Sequence, residues 1–70
     1  MERQELIRAM MNHVGGASFI TNTEVTRFLG LTNNTRVKNK YLIGLDRVGR
    51  GYFIPDVARK IHEEMQEERR

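Results

Sequence analysis

The chain has no cysteine, one serine and one proline, and each shortage closes off a class of function. Without cysteine there is no disulfide and no thiolate nucleophile, and two histidines alone make no zinc set. Ser18 has His13 and His62 far from it in sequence and no nucleophile-elbow motif around it, so hydrolytic chemistry is not expected. "GRG" at 49–51 is too short for a phosphate loop. No apolar run approaches the roughly 20 residues that cross a bilayer. The opening "MERQELIRAMM" is broken by charge and lacks a signal peptide's apolar centre. Without a sign of secretion, the glycosylation sequon "NNT" at 33–35 carries no weight. The expectation is a soluble, cytoplasmic, non-enzymatic protein with no cofactor, no metal and no small-molecule ligand.

What is present is charge in one place. The net charge is +3, yet residues 25–52 hold Arg27, Arg36, Lys38, Lys40, Arg47 and Arg50 against the single acid Asp46. That stretch therefore carries +5, and the segments on either side are each slightly acidic. A basic block of this kind is the footprint of a polyanion-binding surface. The 70 residues suffice for one domain with a small core, since a chain this short buries only about 60% of its unfolded surface.

The local patterns predict the order of elements. In residues 2–14, Leu6, Ile7, Met10 and Val14 recur at helical spacing before Gly15 and Gly16. In "ITNTEVTRFLGL", Thr21 and Glu24 form a capping box, with Ile20 and Val25 as a hydrophobic staple across it. Gly30 supplies the left-handed residue that ends that short helix. Thr32 is the expected cap of a second helix, from about Asn33 to Leu42, with Val37 and Tyr41 inward. Helix, glycine turn and helix make a helix-turn-helix signature. "LDRVGRGYFIP" then reads as two short strands around Gly49–Arg50–Gly51, both glycines taking positive φ, with Val48, Tyr52 and Ile54 facing the core. Pro55 suits the first turn of a closing helix, whose stripe is Val57, Ile61 and Met65 with Ala58 beside it. Its last residues, 62–70, read as a charged helical tail projecting from the domain.

The expected fold is thus mainly α with a small β-hairpin: helix, helix-turn-helix, two-stranded wing, C-terminal helix. The polar second helix suits nucleic acid. Asparagine matches the N7 and N6 edge of adenine, and arginine matches guanine O6 and N7. Lys38 and Lys40 suit phosphates. Candidate DNA-binding residues are Asn33, Asn34, Thr35, Arg36, Lys38, Asn39 and Lys40 on the reading helix, with Arg47 and Arg50 on the wing.

Residues 19–61, through "TNTEVTRFLGLT", "NNTRVKNKYL" and "RVGRGYFIPDVARKI", resemble the excisionase-like, MerR-type winged helix-turn-helix module of phages and mobile elements. Three features depart from that pattern, one of them Asp46, an acid in the expected first wing strand. Thr26 stands where alanine is frequent, and the early apolar residue of the second helix falls at Val37, one place late, with Arg36 where a buried residue is usual. The resemblance implies a protein that binds and bends DNA to bias a partner integrase towards excision. The same module serves small transcriptional regulators and terminase small subunits, and fold alone does not choose among them. With no second domain expected for ligand sensing, the accessory role leads. Double-stranded DNA is the expected partner, with an integrase or a second copy beside it. A protein-interaction module without DNA binding is the alternative of another class.

Overall fold

A computed structural model describes residues Glu2 to Glu68. The chain is mainly helical, with a small antiparallel sheet of three strands. Helix α1 runs Arg3–His13 and buries Leu6 and Met10, one turn apart, before ending at the glycine pair. Ile7, Met11 and Val14 pack partly buried beside them.

Strand β1, Phe19–Thr21, leads directly into helix α2, Asn22–Phe28. The capping box forms as the sequence predicts. Thr21 Oγ1 accepts from the Glu24 amide at 3.2 Å, and Glu24 Oε1 accepts from the Thr21 amide at 3.0 Å. Ile20 and Val25 are both wholly buried, as a staple requires. Thr26 is buried too, and its hydroxyl donates to the Asn22 carbonyl at 2.9 Å, so that hydroxyl is paired, whereas the Asn22 side-chain oxygen is buried with no partner among the described residues. Gly30 has φ +73°, and the Leu31 amide reaches back five residues to the Thr26 carbonyl at 2.9 Å. Those are the marks of a Schellman ending.

Helix α3, Asn34–Val37, begins one residue later than expected. Asn33 rather than Thr32 is its cap, accepting from the Arg36 amide at 3.0 Å. Asparagine is the stronger capping residue, so it sets the boundary. The regular helix expected to Leu42 is also corrected: Lys38–Leu42 is wound as a π-helix. The cause is the spacing of the buried side chains. Val37 and Leu42 are both buried yet five residues apart. At 3.6 residues per turn that is about 1.4 turns, which would aim them at different faces. An i→i+5 winding brings both inward. Tyr41 is only partly buried, while Arg36 is exposed. The inward register therefore starts at Val37.

The hairpin pairs β2, Arg47–Val48, with β3, Gly51–Phe53. Sequence reading gave it two strands; β1 adds a third, in the order β1-β3-β2. Phe19 lies opposite Phe53, Ile20 opposite Tyr52 and Thr21 opposite Gly51. Ile20 and Tyr52 point into the core together, and the Phe19 and Phe53 rings meet outside with centroids 5.5 Å apart. Such cross-strand pairs are what stabilise a short sheet. Val48 is opposite Gly51, one position from the inward Tyr52, so it takes the outer face and is 66% exposed. This corrects its expected place in the core. The two glycines also differ. Gly49 has φ +62° and opens a two-residue turn. Gly51 sits in the strand without positive φ, where a Cβ would lie 3.1 Å from Phe19 Cβ. It is there for space.

Helix α4, Ile54–Glu68, starts on Ile54, which is buried as expected but helical rather than extended. Val57, Ala58 and Ile61 form its buried stripe, with Met65 packed partly against the core. Val57 and Ile61, fully buried, each contribute about 1.5–3 kcal/mol by leaving water. Helices α1 and α4 and the inner sheet face enclose the core behind α3 and the π segment. No helix among the described residues is long and apolar enough to cross a membrane.

Candidate nucleic-acid interface

Because Val37 and Leu42 anchor α3 and the π segment inward, the polar residues between them face solvent. Asn33, Thr35, Arg36, Asn39 and Lys40 surround one shallow depression. Thr35, Arg36 and Asn39 are exposed, and their side chains make no hydrogen bond among the described residues. Their donors and acceptors are free for a ligand. Lys38 is exposed on the flank, outside that depression.

The other candidates on this stretch carry structural duties. The Asn33 side-chain oxygen is committed to its cap. Asn34 donates from Nδ2 to Thr23 Oγ1 at 3.3 Å and so ties α3 back to α2. Lys40 Nζ pairs with Glu68 Oε1 at 2.7 Å and lies 5.3 Å from the Tyr41 ring centroid. The Glu68 hydrogen bond, and secondarily Tyr41, hold the Lys40 ammonium protonated to a higher pH than a free lysine. Through this exposed pair the end of the closing helix reaches back to the π segment, while Gln66, Glu67 and Glu68 stay exposed; Arg69 and Arg70 of the expected tail lie outside the described residues.

Arg47 and Arg50 are exposed on the hairpin, with no ion pair among the described residues. Arg50 occupies the turn itself, after Gly49. No packing competes for its guanidinium.

Sequence reasoning missed three parts of this region. Leu31 and Tyr41 help to line a concavity of about 380 Å³ beside Arg36 and Lys40, and Leu31 is 48% exposed. An apolar residue after a helix-ending glycine usually folds back on its helix, so its exposure had no local signal. Glu68 is the third. Its signal was available: Glu64 stands four residues before it and Met65 three, so neither earlier position gives it a partner within its own helix. His13 packs its ring edge against Phe28 at 5.7 Å, and His62 is partly buried on α4. Compared with known protein families, curated proteins and solved structures, the chain matches none.

Proposed function

We propose that the chain is a winged helix-turn-helix protein that binds double-stranded DNA sequence-specifically and does no chemistry of its own. In this reading α2 and α3 are the helix-turn-helix, α3 with its π segment is the reading helix, and the β2–β3 hairpin is the wing. The observation that carries it is the grouping of unpaired Thr35, Arg36 and Asn39 on one exposed surface, anchored from behind by Val37 and Leu42. Those groups suit base edges, and the arginines of the hairpin suit backbone or minor groove. The resemblance at residues 19–61 favours an excisionase-like role, in which the protein bends DNA beside an integrase. A regulator or a terminase small subunit would use the same surface. Selection from a random duplex pool tests the reading: a recurrent motif is expected, and a pool that never enriches would defeat it.

A second reading, a protein-interaction module, rests on the outer sheet face. Phe19, Val48 and Phe53 are 42%, 66% and 42% exposed there. Neighbouring exposed apolar side chains of this size mark contact surfaces. Failure to bind any duplex at low salt would favour this reading over the first.

A further inference from the structure

The charge pattern of α4 is unbalanced at its end. Arg59 pairs with Glu63 and Lys60 with Glu64, each at 3.5 Å and one helical turn apart. One turn further, Glu67 and Glu68 have Glu63 and Glu64 at i−4, where like charges repel. Glu68 finds its counter-charge across the fold, on Lys40, 28 residues away in sequence. Among Arg27, Arg36, Lys38, Lys40, Arg47 and Arg50, only Lys40 is in an ion pair among the described residues. It also borders both depressions beside the reading helix.

We infer that Glu68 is a built-in competitor for the DNA backbone, an autoinhibitory carboxylate that occupies Lys40 until a phosphate displaces it. This rests on the DNA-binding reading. A carboxylate and a phosphate oxygen offer a lysine ammonium the same charge-assisted hydrogen bond, and the two anions repel each other when both are drawn to Nζ, so they compete for it. The pair is open to solvent, with side chains 41% and 60% exposed. Exposed pairs are weak and exchange readily, so this one attenuates binding without blocking it. Its main effect falls on sequence-independent binding, which rests on phosphates. Arg36 and Asn39, the base readers, stay free.

The test is a fluorescence titration of a short random-sequence duplex at low salt, with melts run beside it. Glu68→Gln should tighten binding by up to about fivefold over wild type, with the melting temperature nearly unchanged. Glu67→Gln removes the same charge from a residue with no ion pair among the described residues, and should give a smaller gain. In a Lys40→Gln background, Glu68→Gln should do no more than Glu67→Gln. Equal gains from the two glutamate variants in wild type would overturn the inference, as would a Glu68 effect that survives loss of Lys40. In both cases wild type still binds, and the DNA-binding reading stands. A wild type that binds no duplex removes that reading, and this inference with it.

Discussion

Arg50 sits in the hairpin turn with no ion pair among the described residues, so removing it should cost function and not stability. Arg50→Ala should weaken DNA binding by about 1 kcal/mol or more and leave the melting temperature in place. A lower melting temperature with unchanged affinity would make the residue structural. On the proposed reading helix, Arg36→Ala or Asn39→Ala should relax preference among sites by roughly 1–3 kcal/mol per lost base contact. Lys38→Ala should weaken all sequences alike and lower the salt slope by about one. Site selection on these variants separates the two outcomes; equal losses on every sequence would reduce the helix to a phosphate clamp. Val37 is the inward control: Val37→Ala should cost about 1–3 kcal/mol of stability in a denaturant titration. Gly51→Ala should destabilise as well, because the added Cβ would press on Phe19 Cβ, which cannot move without its strand.

At the scale of the element, the π segment makes the sharpest claim. Deleting Lys38 leaves Val37 and Leu42 four residues apart, on one face of an ordinary α-helix. The variant should fold with a melting temperature near wild type, while its selected DNA site changes because Arg36 and Asn39 no longer share a face. A variant that fails to fold would mean that the winding does not follow from burying that pair. Features set within a few residues were legible in sequence: the Thr21–Glu24 box, the Gly30 ending, the α4 stripe and the inward Tyr52. Features that depend on a distant partner were not. Phe19–Thr21 is a strand only because β3 lies beside it. The misplacement of Val48 is local: the turn is the two residues Gly49–Arg50, which pairs Val48 with Gly51 on the outer face, not the three-residue turn expected. The π winding was hidden because Val37–Tyr41 is a sound α-helical pair, and only the burial of Leu42 decides against it. Of the candidate interface, Asn33, Thr35, Arg36, Asn39 and Lys40 come together around one depression; the Asn33 cap follows a local preference that the expectation of Thr32 passed over, whereas the tie from Asn34 to Thr23, eleven residues back, had no local signal.

At the scale of the whole molecule, the charge is divided. The +5 of residues 25–52 is spread over α2, α3 with its π segment, and the hairpin, and α4 carries five acids against Arg59 and Lys60. A surface this small makes few contacts, so its affinity should be modest and dominated by phosphates. The most direct measurement is the affinity for duplex DNA across a range of salt concentrations. About four to six phosphate contacts, each contributing a slope near −0.9, give a log–log slope of roughly −4 to −5. A flat response, or no binding at the lowest salt, would contradict DNA as the partner of this surface.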